Sequence, residues 1–180
     1  NQNFSNLVID MSKITVAVIG DSETENQEEL KFAEQVGELI AKRGYILVCG
    51  GRGGVMEAAA RGAKRAGGIT VGILPGFTKE EANPFIDIVV LTGIGWARNQ
   101  IVILSADAVI AIGGRSGTLS EIAYAWMYNK PICAVVGFGG WSEKLAGKRI
   151  DDRRNDMIYV AKTISDVARF LDTIFIREKK

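Results

Sequence analysis

Short, unbroken apolar runs that alternate with segments of helical periodicity constrain the fold of this chain more than any other feature. Lys13–Gly20, Tyr45–Cys49 and Ala108–Ile112 are rich in β-branched or large apolar residues, and each ends at or just before a glycine. Strands that are apolar on both faces are typical of a parallel sheet covered by helices on both sides. Between the first two runs, Glu25–Arg43 has apolar residues at helical spacing and is followed by Gly44, a common helix terminator.

The same reasoning predicts further elements along the chain. Strands are expected over Ile69–Leu74, Phe85–Leu91, Pro131–Val136 and Met157–Ala161, and helices over Val55–Ala66, Trp96–Leu104, Thr118–Asn129 and Ile164–Arg177. Phe77–Pro84 is predicted to be a polar connection and Gly137–Arg154 an irregular one. The predicted fold class is α/β: a three-layer, Rossmann-like, doubly wound sandwich with a mainly parallel sheet of six to seven strands. Residues 1–180 are expected to form one nucleotide-binding domain of this kind.

The composition excludes several kinds of chemistry. The chain has no histidine, which rules out serine–histidine and cysteine–histidine nucleophiles and histidine-ligated metals within it. Its two cysteines, Cys49 and Cys133, lack the spacing of a metal site and are expected to be small buried residues. Neither a metal nor a resident cofactor is therefore predicted, and acid–base chemistry falls to the remaining side chains or to water.

Charge and hydropathy give expectations about partners and location. Lysine and arginine total 22 against 21 acidic residues, a net charge of +1, so nucleic acid is not expected as a partner. No apolar run reaches the roughly 18 residues of a membrane span. The polar segment Asn1–Ser12 lacks the apolar core of a signal peptide, so a cytoplasmic location is expected.

The first glycine-rich loop follows the predicted second strand and precedes a predicted helix. A tight strand–helix turn needs one or two glycines, whereas four of the five residues here are glycine. Glycine lets backbone N–H groups approach an anion closely, and a helix N-terminus adds unpaired donors, so phosphate binding is favoured over a simple turn. The residues expected to bind the ligand in this part of the chain are Gly20, at the end of the first strand, and Gly50, Gly51, Gly53 and Gly54.

A second glycine-rich loop has the same setting after the predicted fifth strand. Neither loop matches GxGxxG or GxxxxGK[ST], so a standard dinucleotide site and a P-loop are not indicated. Arg115 is either a charged clamp on the ligand or a solvated loop residue, and the sequence does not decide between them. The residues expected to bind phosphate here are Gly113, Gly114, Arg115, Ser116, Gly117 and Thr118.

Glu121 has two competing interpretations. Thr118-x-x-Glu121 has the spacing of a capping box, as do Thr163-x-x-Asp166 and Ser22-x-x-Glu25, and spacing alone favours a helix cap over a catalytic carboxylate.

Arg98 and the neighbouring aromatic residues are similarly ambiguous. An arginine at a helix start opposes the helix dipole, so Arg98 either meets a negatively charged partner or is an ordinary surface residue. Trp96 is expected in the core rather than stacked on a ligand. Tyr124, Trp126 and Tyr128 are expected to form core or an oligomer interface.

Together these segments resemble a known superfamily. The runs CGGRGGVMEAAARGAKRAGGITVGILPG, WARN and SADAVIAIGGRSGTLSEIAYAW match, in order and spacing, the proteins often labelled "possible lysine decarboxylase". This superfamily includes the Lonely Guy cytokinin-activating phosphoribohydrolases. The branch related to DNA-processing protein A and the molybdenum cofactor carrier proteins looks closer. The resemblance covers roughly Ile14 to Val136.

The resemblance implies a function and roles for particular residues. The phosphoribohydrolases hydrolyse the N-glycosidic bond of a nucleoside 5′-monophosphate. By position, Glu121 would serve the ribose or the reacting centre and Arg98 would complete the site, which makes both candidate catalytic residues. The phosphate would be held by Gly113, Gly114, Gly117 and Thr118. The decarboxylase label does not fit, because that chemistry ordinarily needs a lysine-bound pyridoxal phosphate and neither glycine loop contains lysine.

Two departures from the enzyme pattern keep a second function open. Ile112 stands where the phosphoribohydrolases have proline before the two glycines, and Asn99 follows Arg98 where they usually have lysine. Both favour a non-catalytic carrier of a phosphate-bearing nucleotide or pterin cofactor. A DNA-related role, through the resemblance to DNA-processing protein A, is least favoured because of the charge balance. Relatives form dimers and tetramers, so a homo-oligomer is expected.

Overall fold

The computed structural model describes residues 13–176. All seven strands of its sheet are parallel, in the order β4-β3-β2-β1-β5-β6-β7. The strands are β1 Thr15–Gly20, β2 Ile46–Cys49, β3 Thr70–Leu74, β4 Ile88–Leu91, β5 Ala108–Ile112, β6 Ile132–Val135 and β7 Tyr159–Ala161. The helices are α1 Gln27–Lys42, α2 Val55–Arg65, α3 Arg98–Leu104, α4 Ser116–Met127, α5 Gly140–Leu145 and α6 Ile164–Phe175. The expectations for Asn1–Ser12 and for the last helix at Arg177 lie outside the described residues.

Two apolar clusters cover the two faces of the sheet. In β1, Val16 and Val18 face the cluster formed with α1, α2 and α6, whereas Ala17 and Ile19 face the cluster formed with α3 and α4. All four side chains are at most 1% exposed, as expected for a central strand of a covered parallel sheet. The prediction of a three-layer, Rossmann-like α/β sandwich is confirmed, and its sheet is entirely parallel.

Some element boundaries differ from the sequence prediction. The fourth strand is limited to Ile88–Leu91, and the connection predicted to be irregular contains α5. That connection turns at Gly137 and Gly139, which have φ of 114° and 68°, before α5 begins. The carboxylate of Glu143 accepts a hydrogen bond from the N–H of Gly137 at 2.7 Å, which fixes the turn against the new helix.

The three predicted capping boxes have different outcomes. Thr163 and Asp166 form a capping box at the start of α6, as predicted. Helix α1 is capped instead by Asn26, whose side chain accepts from the N–H groups of two following residues. Helix α4 begins at Ser116, which places Thr118 inside its first turn, and no side chain among the described residues caps it. The capping-box interpretation of Glu121 is therefore wrong.

The aromatic residues of α4 divide between core and surface. Trp126 is 1% exposed, its indole N–H donates to Asp151 at 2.7 Å, and the guanidinium of Arg154 lies 4.6 Å from its ring centre. It is thus a core residue and presents no surface to a partner. Tyr128 is 38% exposed and stacks on Tyr124. None of the helices in residues 13–176 has the length and apolar character needed to cross a bilayer.

Candidate functional site

The two glycine loops meet at the carboxyl edge of the sheet. They follow β2 and β5, which pair with β1 from either side, so the loops flank the end of β1 at Gly20. A cavity of about 390 Å³ opens between them, and a second of about 290 Å³ adjoins it. The main cavity is lined by Gly20, Ser22, Glu23, Arg52, Gly53, Met56, Trp96, Arg98, Asn99, Arg115, Gly117, Thr118 and Glu121.

The predicted site residues divide into two groups. Both candidate catalytic residues line the main cavity, together with five predicted ligand-binding residues: Gly20, Gly53, Arg115, Gly117 and Thr118. Ser116 lines the adjoining cavity. The other five glycines line neither cavity: Gly50, Gly51, Gly54, Gly113 and Gly114.

Close packing explains why two positions of the first loop are glycine. Gly51 has φ of 79°, and a Cβ there would lie 2.5 Å from the Leu74 side chain. Gly54 has φ of 60°, and its Cβ would overlap the carbonyl oxygen of Asp21. Asn83 ties the loop down from the connection before β4, because its side-chain amide donates to the carbonyls of Gly51 and Arg52 at 3.3 and 2.8 Å.

The second loop is held in place by α5, whereas the first is held by the connection before β4. Gly113 and Gly114 have φ of 58° and 98°, conformations that favour glycine. The carbonyl of Gly113 accepts from the N–H and hydroxyl of Ser142 at 3.1 and 2.7 Å. The carbonyl of Gly114 accepts from the N–H of Trp141 at 3.0 Å. These bonds hold the loop so that α4 starts at the cavity.

The first turn of α4 is the part of the cavity wall whose geometry suits an anion. The first N–H groups of a helix have no acceptor within the helix, and no side chain in the described part of the chain caps this one. Gly117 is open: a Cβ there would meet only the amide nitrogen of Asn99, at 3.8 Å. The positive end of the helix dipole and these free donors suit a phosphate group.

The side chain of Arg98 is a buried cation on the wall of the cavity. It is only 7% exposed, so of the two interpretations drawn from the sequence, that of an ordinary surface residue is wrong. One guanidinium nitrogen donates to the side chain of Asn99, and another lies 3.5 Å from the carbonyl oxygen of Gly50. The Nε atom has no hydrogen-bond partner among residues 13–176. Burial lowers the pKa of Arg98, while the nearby Glu121 opposes that shift.

Glu121 is a buried carboxyl on the same wall. It is 7% exposed, and burial raises its pKa to about 8 despite the attraction of Arg98. An acid with this pKa is largely protonated at neutral pH and can give up a proton there. A perturbed carboxyl and a buried arginine in one cleft are typical of a functional site.

Arg115 stands at the mouth of the cavity in ion pairs. Its guanidinium lies 2.9 Å from the carboxylate of Glu23 and 3.4 Å from that of Asp21. Its side chain is 60% exposed, so these pairs are screened by solvent. An incoming phosphate would compete with two carboxylates for this arginine.

Several lining residues were not identified from the sequence. Asn99 donates to the hydroxyl of Ser120 at 3.0 Å while accepting from Arg98, so it connects the arginine to α4. Its place directly after Arg98 was the available signal. Trp96 was predicted to lie in the core, yet it is 84% exposed and lines the main cavity. The residues next to Trp96 in the sequence did not predict its exposure, because the turn that directs the side chain outward depends on contacts elsewhere in the fold.

The cysteines are buried as predicted. Burial raises the pKa of the Cys49 thiol to about 12, so it is not a nucleophile at neutral pH. Among residues 13–176, no three cysteine, aspartate or glutamate side chains are grouped closely enough to hold a metal ion.

Fold and cavity define a Rossmann-like α/β protein with a cleft at the carboxyl edge of its sheet, the edge where ligands bind in folds of this class. The chain belongs to the SLOG cluster4 family (LDcluster4), whose model matches residues 13–167. This membership and the relatives described next confirm the superfamily resemblance drawn from the glycine loops.

Three comparisons place the chain within this group. A cytokinin riboside 5′-monophosphate phosphoribohydrolase of Mycobacterium tuberculosis is 37% identical over 134 residues, covering 69% of this chain and 72% of that protein. An uncharacterized protein of Archaeoglobus fulgidus is 46% identical over 125 residues, or 69% and 82% of the two chains. The molybdenum cofactor binding protein of Rippkaea orientalis has a similar structure, with a TM-score of 0.81 and 38% identity over 91% of this chain and 98% of that one.

Proposed function

We propose that this protein binds a nucleoside 5′-monophosphate at the carboxyl edge of the sheet and hydrolyses its N-glycosidic bond. One observation carries the proposal: within residues 13–176, a buried arginine whose Nε has no hydrogen-bond partner and a buried carboxyl of raised pKa share a cavity with a helix start that no side chain caps. The phosphate would lie at the first turn of α4, beside Gly117 and Thr118. The phosphoribohydrolase activity named for the Mycobacterium tuberculosis relative supports this reading.

The proposed reaction uses Glu121 as a general acid. Its protonated carboxyl gives a proton to a ring nitrogen of the departing base as the bond from that base to C1′ breaks. Water adds to C1′, and the proton that water loses restores the carboxyl. Arg98 donates from Nε to a ligand oxygen and holds the sugar beside Glu121. Positive charge that develops on the sugar ring is tolerated because Glu121 becomes anionic at the same moment.

The test is release of free base from a panel of nucleoside 5′-monophosphates. Glu121→Gln keeps the shape of the side chain but cannot transfer a proton, so turnover should fall by about a hundredfold or more, while affinity changes little. Glu57→Gln, which changes the glutamate in the first turn of the helix after the first glycine loop, is the control and should keep full activity. Wild-type turnover should decline above pH 8, where Glu121 is ionised. Equal turnover by the Glu121 variant and the wild type would refute the proposal.

A second candidate is a non-catalytic carrier of a phosphate-bearing pterin cofactor. The Rippkaea orientalis molybdenum cofactor binding protein, at 38% identity, favours it, as do Ile112 and Asn99 in place of the proline and lysine of the enzymes. A carrier uses the same phosphate site but needs no proton transfer. It predicts tight binding with no base released, and an affinity that Glu121→Gln leaves unchanged.

A further inference from the structure

A slot beside the main cavity is not used by the proposed proton transfer. It has a volume of about 90 Å³ and is lined by Arg52, Pro75, Gly95, Trp96 and Arg98. Three of these residues, Arg52, Trp96 and Arg98, also line the main cavity, so the slot adjoins it. A ligand with its phosphate at α4 and its sugar beside Arg98 can extend one edge of its base into this slot.

The slot offers an aromatic face. Trp96 is 84% exposed, and it lies in a 3-10 turn, Gly95–Ala97, that leads directly into α3. The turn is held to the end of β3 because the N–H of Gly95 donates to the carbonyl of Pro75 at 3.0 Å. An exposed indole in a fixed backbone at a cavity wall suits stacking on a flat heteroaromatic ring.

The polar groups around the slot are donors rather than acceptors. Arg52 has an exposed side chain and takes part in none of the ion pairs among residues 13–176, in contrast to Arg115. The guanidinium of Arg98 also lines the slot, although its Nε–H is assigned to the sugar in the proposed function. The backbone carbonyls nearby already accept hydrogen bonds: those of Gly51 and Arg52 from Asn83, and that of Pro75 from Gly95. In the described part of the chain, the residues that line the slot include no carboxylate or amide side chain.

We infer that the site prefers a base whose exposed edge has a ring carbonyl beside an acceptor ring nitrogen over a base with an amino group in place of that carbonyl. Arginine pairs with the carbonyl oxygen and adjacent nitrogen of such an edge through two hydrogen bonds. An amino group would instead point a donor at Arg52. The inference rests on the proposed nucleotide site and deepens it: 6-oxopurine mononucleotides should bind better than 6-aminopurine mononucleotides. An oxidised pterin monophosphate has the same edge, a ring carbonyl beside an acceptor ring nitrogen, and is the other source of such a ligand.

The experiment is calorimetric titration of wild type and variants with GMP, AMP, a pterin monophosphate and ribose 5-phosphate. Wild type should bind GMP about tenfold more tightly than AMP, the size of one bidentate arginine–base contact. Arg52→Gln should bring the ratio of the two affinities close to one by weakening GMP binding and leaving AMP binding unchanged. Arg169→Gln removes the same charge on α6, far from the slot, and should keep the wild-type ratio.

Stacking on Trp96 is tested in the same series. Trp96→Leu should weaken the binding of GMP and of AMP about tenfold each. Trp96→Phe keeps an aromatic ring and should weaken both less. Neither variant should change the affinity for ribose 5-phosphate, which has no base.

The other possible results separate failure of the base preference from failure of the proposed function. Equal affinities for GMP and AMP in the wild type overturn the inference, and so does an equal loss of both with Arg52→Gln, which would place Arg52 on the phosphate. Binding of ribose 5-phosphate in those cases leaves the proposed nucleotide site standing. Failure of both nucleotides and ribose 5-phosphate to bind refutes the proposed function as well. GMP and the pterin monophosphate share the edge with a ring carbonyl beside an acceptor nitrogen. Tighter binding of the pterin monophosphate identifies the pterin as the source of the ligand, and tighter binding of GMP identifies the purine nucleotide.

Discussion

The two glycine loops look alike in sequence but differ in what their glycines contact. In the first loop, Gly51 and Gly54 lie against other parts of the backbone or core, and the N–H of Val55 donates to the carbonyl of Asp21 at 2.9 Å. The start of α2 is thus already partly satisfied by the protein. In the second loop, Gly113 and Gly114 are packed as closely, but Gly117 faces open space at the start of α4, which no side chain among residues 13–176 caps. Glycine content alone therefore does not distinguish the two loops, whereas the open space at the start of the following helix does.

The helices after the two loops differ in the same way. Each carries a glutamate near its start, Glu57 in α2 and Glu121 in α4. Glu57 is half-buried, whereas Glu121 is 7% exposed and faces the cavity with Arg98. The first loop forms one wall of the cavity with Gly53 and Arg52, and in the proposed function the second loop and α4 supply the phosphate donors and the acid. The comparison can be tested by changing matched residues in the two loops.

The largest effect is expected from alanine at Gly54. Its φ of 60° and the overlap of a Cβ with the Asp21 carbonyl should lower the free energy of unfolding by more than about 3 kcal/mol. Gly117→Ala should change that free energy by less than about 1 kcal/mol, because its Cβ meets no atom closer than 3.8 Å. The same methyl group should weaken ribose 5-phosphate binding about tenfold by crowding the phosphate. Urea unfolding and calorimetric titration measure the two effects.

The Gly117 variant remains informative even if the Gly54 variant does not fold. Wild-type affinity for ribose 5-phosphate in Gly117→Ala would show that the two loops do not differ as described.

A smaller effect is expected in the pH dependence of stability. The pKa of Glu121 is raised by burial from an ordinary 4.5 to about 8, so the folded protein holds this proton more tightly than the unfolded chain. The contribution to the free energy of unfolding is present below pH 4.5 and is lost as the pH rises through about 8, by on the order of 5 kcal/mol. Glu121→Gln should remove this decline relative to wild type. Glu57→Gln should retain it, and urea unfolding at several pH values compares the three proteins.

Parallel stability curves for wild type and Glu121→Gln across that range would mean that the carboxyl is hydrated rather than buried. The distinction between the two glutamates would then be lost.

The smallest effect concerns the ion pairs of Arg115. Glu23→Gln removes the carboxylate at 2.9 Å and frees the arginine for a phosphate, so ribose 5-phosphate should bind roughly twofold more tightly at low salt. The gain should shrink as salt is added, because the pair is exposed to solvent. Glu25→Gln, nearby in sequence but outside both cavities, is the control for charge. Weaker binding by Glu23→Gln would show that Glu23 helps to orient Arg115 for the ligand.

The layer architecture could be predicted from sequence because it depends on local patterns. Continuous apolar runs such as Ala108–Ile112 specify buried parallel strands, and glycines after them mark the strand–helix turns. Boundaries were less accurate where tertiary contacts set them. The fourth strand is shorter because only Ile88–Leu91 pairs with β3, and α5 forms in a segment whose glycines and charges had predicted no regular structure.

In the candidate site, the sequence by itself determined which residue types were present: the glycine loops, Arg98, Glu121 and the absence of histidine. Only the tertiary structure decided which of them share a cavity, since that depends on the sheet order placing β2 and β5 on either side of β1. It also decided the burial of Glu121 and the exposure of Trp96. Desolvation and side-chain direction depend on neighbours far away in the chain, and no local spacing encodes them.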